Sequence, residues 1–203
     1  MFHVKQGRDA RPCVSRETLA RLETYAALLL KWNRTINLIS PRDEARLWPR
    51  HIDDSLDLLP LLPPDFAFAV DLGSGAGFPG LVLSIATGRP FHLVEADQRK
   101  AAFLREAARA TGAPSVVHQG RIEDFGIRNA PLVTARALAP LATLLQWAAP
   151  ILAADGLCLF PKGRTHAAEL TAAARQWQMR TESIPSQSDP DAVILRIRDI
   201  QRV

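Results

Sequence analysis

The sequence predicts an α/β protein: a doubly wound, mostly parallel seven-stranded sheet with helices on both faces, preceded by a helical extension. Three observations carry this reading. From Phe66 onward, short apolar runs alternate with helix-length segments, the signature of repeated βα units. The first of these runs ends in a glycine-rich turn, Asp71-Leu72-Gly73-Ser74-Gly75-Ala76-Gly77, and Pro79 stands where a helix would begin. Ahead of Phe66, apolar residues recur at helical spacing.

Taken in order, Ser15 can cap a helix whose apolar positions Leu19, Leu22, Tyr25, Ala26, Leu29, Trp32 and Ile36 form one face over about six turns. After Ser40-Pro41 a second helical pattern runs from Asp43 to Leu59, with Pro49 either starting its regular part or kinking it. The prolines from Pro60 to Pro64 close this extension, residues 1–64, which is expected to pack on a domain of residues 65–203. Strands are expected near 66–71, 90–95, 115–118, 131–135, 156–161, 178–184 and 192–198, and helices near 79–87, 98–110, 140–149 and 165–176. The last two strands lack a helix between them, which predicts an antiparallel hairpin at the sheet's end.

A chain of 203 residues that is 47% hydrophobic and 23% charged can bury one core, and disorder is not indicated. The sequence is basic, with a pI near 9.6, and the excess is uneven. Residues 1–52 contain ten Lys or Arg against five acidic residues, so the extension faces a polyanion more readily than the domain does. Cys13 and Cys158 suggest neither a disulfide framework nor a metal site, and no metal is expected. Charges interrupt the N-terminus, which has no secretory apolar stretch, so a cytoplasmic protein is expected. Ala137 to Ala154 is uncharged over eighteen residues, but Pro140, Gln146 and Pro150 fit a buried helix and strand better than a membrane span.

The glycine turn occupies the carboxyl edge of the sheet, where open α/β sheets bind ligands. Read from Gly73, Gly-x-Gly-x-Gly after Asp71 resembles the nucleoside-binding motif of S-adenosylmethionine enzymes. Read from Gly75, the stretch to Gly80 satisfies the dinucleotide pattern Gly-x-Gly-x-x-Gly, with Glu95 twenty residues on. Register favours the sulfonium cofactor. A dinucleotide site starts its glycines directly after the strand, and Asp71 would repel a pyrophosphate but suits the ammonium of methionine, directly or through water. Glu95, at the end of the second strand, can accept both hydroxyls of a ribose or simply be a solvated charge. Gly120 to Phe125 follows the third strand, where a backbone N–H and an acidic side chain can read adenine.

These residues, with others along nearly the whole chain, resemble the bacterial 16S ribosomal RNA guanine-N7 methyltransferase family, also called glucose-inhibited division protein B. The resemblance rests on Leu28 to Asn33 with Ile36-Asn37-Leu38, on Arg50-His51-Ile52-Asp53-Asp54-Ser55-Leu56, and on Asp71 to Gly80. It extends to Arg121-Ile122-Glu123-Asp124-Phe125, Ala135-Arg136-Ala137 and Lys162-Gly163. It implies a Rossmann-like class I S-adenosylmethionine-dependent methyltransferase fold, and cofactor contacts from Gly73, Phe78, Ile122, Glu123 and Arg136, beside Asp71, Gly75, Gly77 and Glu95 of the motif. The implied target is a guanine in the 530 loop of 16S ribosomal RNA, met as RNA, small subunit or assembly particle by a protein expected to be monomeric. Glu95 stands where the family pattern led us to expect Asp, which keeps the hydrogen bonds with a longer reach. The rival readings are an NAD-dependent oxidoreductase and a non-catalytic RNA-binding or ribosome assembly factor.

Methyl transfer from a sulfonium is an in-line displacement, so much of its catalysis is positioning. Guanine N7 has an in-plane lone pair and no proton, and no general base is expected. Arg136 can clamp guanine O6 or the methionine carboxylate, or be a surface salt bridge. His51 and Asp54, three apart on a predicted helix, line the mouth of the site or only pack. Lys162 can hold a phosphate, cap the cleft or stand exposed; Trp32 and Asn33 are expected to fix the extension to the core. Lys31, Arg34 and Arg50 are candidates for RNA phosphate contacts.

Overall fold

The computed structural model describes residues 14–203; Cys13 and the basic residues Lys5, Arg8 and Arg11 lie outside the described residues. Helix α1 (Arg16–Asn33) begins as expected, with the Ser15 hydroxyl accepting the Thr18 N–H at 3.1 Å. Its buried face is Leu22, Tyr25, Ala26 and Leu29. The helix stops short of Ile36 because the Asn33 side chain turns back on the chain, accepting the N–H groups of Leu38 and Ile39 at 2.8 and 3.0 Å.

The single helix expected over 43–59 is three pieces: α2 (Pro41–Glu44), a wide π-helical turn over Trp48–Ile52, and α3 (Asp53–Leu56). Pro49 has no N–H to give, and the Asp53 N–H reaches back five residues to the Trp48 carbonyl. This widened turn sets Arg50 and His51 at the site described below.

The sheet consists of β1 (Ala69–Leu72), β2 (Phe91–Glu95), β3 (Ser115–Gln119), β4 (Ala130–Thr134), β5 (Leu152–Lys162), β6 (Trp177–Pro185) and β7 (Val193–Arg202). Its order is β3-β2-β1-β4-β5-β7-β6, with only β7 antiparallel to its neighbours, as the hairpin expectation required. Strand β5 starts earlier than the expected 156, and its register with β4 shifts between Ala130 and Leu132.

Alternation along the strands divides the core. Ala69, Phe91, Leu93, Leu132, Leu157 and Leu159 pack under α1, α4 (Gly80–Thr87) and α5 (Gln98–Thr111). Val70, Leu72, Val133, Cys158 and Phe160 pack under α6 (Leu141–Ala148) and α7 (His166–Ala173). Cys158 is fully buried, which pushes its thiol up beyond reactivity at neutral pH. The uncharged stretch from Ala137 is α6 and the start of β5, and no helix among the described residues is long and apolar enough to cross a membrane.

The extension shares this core: Leu22, Leu29, Ile52, Leu56 and Leu58 are in one buried cluster with Leu81, Leu83 and Phe103. Trp32 meets the Phe103 ring edge-on at 5.9 Å, fixing α1 to α5 as expected. Leu29, fully buried, has no polar role. Leu29→Ala is expected to destabilise the whole fold by about 2–5 kcal/mol, seen as one lowered urea midpoint. A separate early transition of the extension would contradict the shared core.

Candidate active site

Strand order reverses between β1 and β4, and the crevice beyond their carboxyl ends is the place where such sheets hold ligands. Two cavities open there, sharing a wall made of Asp43, His51, Arg136, Ala137 and Leu138.

The first cavity, of about 530 Å³, lies over the glycine turn. Gly73 has φ +64°, a conformation that disfavours a side chain, and a Cβ on it would stand 2.5 Å from a Leu138 methyl, which would have to shift. The Tyr25 hydroxyl donates to the Ala76 carbonyl at 2.6 Å, tying α1 to the turn. Glu95 is nearly buried, and its two oxygens accept the N–H groups of Gly75 at 2.7 Å and Asp97 at 2.8 Å. Glu95 is therefore no solvated charge: it holds the turn, and each oxygen keeps a lone pair for a further donor. Ile122 and Glu123, on a short turn after β3, complete the cavity, with Glu123 held by the Trp147 indole N–H at 3.1 Å.

Asp71 and Gly77 do not line this cavity. Asp71 is fully buried behind the turn, accepting the Thr134 hydroxyl at 2.6 Å, with the backbone of Gly80 pressed against its other side. Enclosed between β1, β4 and the start of α4, the carboxylate does not open on the cavity, so of the two contacts considered with a cofactor ammonium, direct or through water, it offers no direct one. Burial pushes its pKa up to about 6, with the Thr134 hydrogen bond opposing. Gly77 faces Tyr25 and Leu81 instead.

The second cavity, of about 620 Å³, lies on the far side of Arg136. Arg136 leaves β4 and passes through the shared wall. Its Nη1 donates to the Arg50 carbonyl at 3.2 Å and to Asp54 Oδ2 at 3.0 Å, and its Nη2 to His51 Nδ1 at 2.6 Å. The guanidinium carbon lies 5.0 Å from the Phe78 ring centroid, a cation–π distance. His51 stacks on the same ring at 4.9 Å and 19°. His51 and Asp54 do lie together, as their spacing predicted, and both meet Arg136. The Arg136–Asp54 pair is only 15% and 22% exposed, so it is not a surface salt bridge.

Lys162 also lines the second cavity but is not an exposed lysine: it donates to the Ala139 carbonyl at 2.8 Å and to Glu169 at 2.7 Å. Asp54 accepts the Ser188 hydroxyl, and Asp57 accepts the Gln187 and Ser188 N–H groups at 3.2 and 3.1 Å, drawing the β6–β7 loop over the extension. Arg50 pairs with Asp189 of this loop at 3.2 Å. Lys31 and Arg34 are exposed and line neither cavity. Asn33, expected to fix the extension to the core, instead braces the extension internally, bonding Glu44 as well as the turn before α2.

The family model described as rRNA small subunit methyltransferase G matches residues 18–194. The chain belongs to this family. A protein of that name from Granulibacter bethesdensis is 54% identical over 213 residues, covering all of both chains. Another from Gluconobacter oxydans is 55% identical over 190 residues, covering 94% of this chain and 98% of its own. The fold is that of class I S-adenosylmethionine-dependent methyltransferases. A TehB-like SAM-dependent methyltransferase from Corynebacterium glutamicum superimposes with a TM-score of 0.58 at 15% identity, over 89% of this chain and 98% of that one. P. horikoshii TYW2, solved with MeSAdo, gives 0.57 at 12% identity, over 81% of this chain and 63% of that one.

For a member of this family, several site residues escape a motif reading. Tyr25 and Thr134 carry the hydrogen bonds that shape the glycine turn, yet in sequence they are one more apolar-face residue and one strand end. Ile39, Leu138 and Trp147 line the first cavity from outside any motif.

The buried Asp71 makes a pH prediction. A carboxyl raised in the folded state favours folding below its unfolded value, about 4, and that contribution is lost as pH rises through about 6. Asp71→Asn should remove about 3 kcal/mol of this loss, read as the difference between parent and variant urea stabilities at pH 4 and pH 7. Identical pH dependence in the two proteins would contradict the assignment.

Proposed function

We propose that the protein transfers the methyl group of S-adenosylmethionine to N7 of a guanine in the 530 loop of 16S ribosomal RNA. The observation that carries this is the shared wall: a held guanidinium, Arg136, stands between a nucleoside-sized cavity and a second cavity open to a base. The first cavity suits the cofactor. Its glycine turn admits a ligand backbone-close, Glu95 retains acceptor capacity for ribose hydroxyls, and Ile122 and Glu123 stand where the adenine is read.

Bound there, the cofactor supplies an electrophilic methyl group on a sulfonium. The chain's own residues then orient the acceptor. Arg136 donates toward guanine O6 or the methionine carboxylate, and the stacked rings of Phe78 and His51 back the guanidinium. N7 carries no proton, so no residue is assigned as a base. The lone pair of His51 Nδ1 is occupied by Arg136, which agrees with that.

Exposed Lys31, Arg34 and Arg50 on the extension neutralise RNA phosphates and position the target without reading its sequence, while the domain from residue 65 holds the cofactor. Such an enzyme works in the cytoplasm, on the RNA or on a particle containing it.

Mass spectrometry of 16S RNA from cells with and without the protein should find one N7-methylguanine of the 530 loop present only with it. A methyl group mapped elsewhere would overturn the target. Intact RNA affinity of the protein without any methyl difference would favour the non-catalytic assembly role. Arg136→Ala is expected to lower kcat/KM roughly a hundredfold while RNA affinity falls less than about threefold; equal activity in variant and parent would remove Arg136 from the site.

A further inference from the structure

We infer that His51 is a positioning residue for Arg136: through the lone pair of Nδ1, with its ring layered on Phe78, it fixes the guanidinium in the wall between the two cavities. The inference rests on the role proposed for Arg136. Both other acceptors, the Arg50 carbonyl and Asp54 Oδ2, take Nη1, so among the described residues His51 is the acceptor that holds Nη2. A planar group held only at Nη1 can swing; a second bond at 2.6 Å on Nη2 fixes its plane.

The bond also fixes the tautomer. Arginine has no acceptor, so Nδ1 must be unprotonated and the ring proton lies on Nε2. Nε2 is buried with no hydrogen-bond partner, and the nearest carboxylate oxygen, Asp43 Oδ2, is 3.7 Å away. A donor left unsatisfied inside a protein is unfavourable, and such costs gather where another part of the group is needed. Packing alone would be served as well by a phenylalanine on Phe78, without the orphaned donor.

The charges around the ring keep it an acceptor. Burial first, then Arg136 and Arg50, lower its pKa to about 4 against Asp43 and Asp54, which raise it. Protonation would point an N–H at the guanidinium and add a second positive charge in the wall. Because the ordinary imidazole value is about 6.5, an unshifted His51 would titrate in the working range, and this one does not.

Two substitutions separate the hydrogen bond from the stack. His51→Phe keeps a ring and removes Nδ1; His51→Asn removes the ring and offers an amide oxygen close to the position of Nδ1. Activity on small-subunit RNA, KM for S-adenosylmethionine and RNA, and urea midpoints are measured for each. His51→Phe should lower kcat roughly 10–100-fold with both KM values within about threefold, and His51→Asn should recover to within about fivefold of the parent. Combined with Arg136→Ala, His51→Phe should cost nothing further, because the two residues act as one unit.

In the parent protein, nitrogen NMR of the ring should show a neutral Nε2–H tautomer at pH 7, a readout that does not depend on any variant folding. The kcat profile should be flat from about pH 6 to pH 8. An imidazolium or Nδ1–H tautomer, equal loss in His51→Phe and His51→Asn, or additive loss in the double variant would overturn the inference. Impaired Arg136→Ala beside an unimpaired His51→Phe would overturn it alone, whereas a fully active Arg136→Ala would overturn the role of Arg136 and this inference with it.

Discussion

A guanidinium taken out of water must have its N–H groups met by oxygen or nitrogen acceptors, or burying it is strongly unfavourable. Arg136 leaves the central β4 strand and meets that requirement with groups from the helical extension: the Arg50 carbonyl, His51 Nδ1 and Asp54. The site therefore depends on a contact between two parts of the chain. The wide turn at Trp48–Ile52 carries the first two of these groups and leads into α3, which carries Asp54, and the shared apolar cluster from Leu22 to Phe103 holds the turn against the sheet. Tyr25 adds a second tie from the extension, this one to the glycine turn.

The glycine turn is held from behind as well as from the side. Asp71 is buried between β1 and β4, bonded to Thr134, and Gly80 approaches it so closely that any Cβ there would lie 2.5 Å from the Asp71 Cβ. Gly80 is the residue that completes the dinucleotide-like pattern from Gly75, and here its bareness serves helix–strand packing. Glu95 plays a related part on the front of the turn, fixing the Gly75 N–H while facing the first cavity. Two acidic residues thus shape one loop by opposite means, one from within the fold and one from its edge.

Much of the architecture was legible in the chain. Helical spacing marked α1 and its Ser15 cap, and alternating apolar runs marked the sheet, its terminal hairpin and the place of the glycine turn. Arg136, Glu95, Ile122 and Glu123 could be placed near one edge because each ends or follows a strand. The division of the second helix was not legible, since Pro49 permits a start, a kink or a widened turn, and only the packing around it selects among these. Nor was the burial of Asp71, because a strand-end carboxylate reads the same whether it faces a ligand or the interior.

The sequence by itself determined the family, the order of elements and the glycine-rich turn at the sheet's carboxyl edge, because each is carried by neighbours in the chain or by short repeating periods. The tertiary structure decided which charges meet. His51 and Arg136 are 85 positions apart, and Asp71 and Thr134 are 63 apart. No local pattern relates such residues; their contact exists only once the sheet has ordered β4 beside β1 and the extension has packed across both. That packing also sets their protonation, since the desolvation that raises Asp71 and lowers His51 belongs to the folded interior.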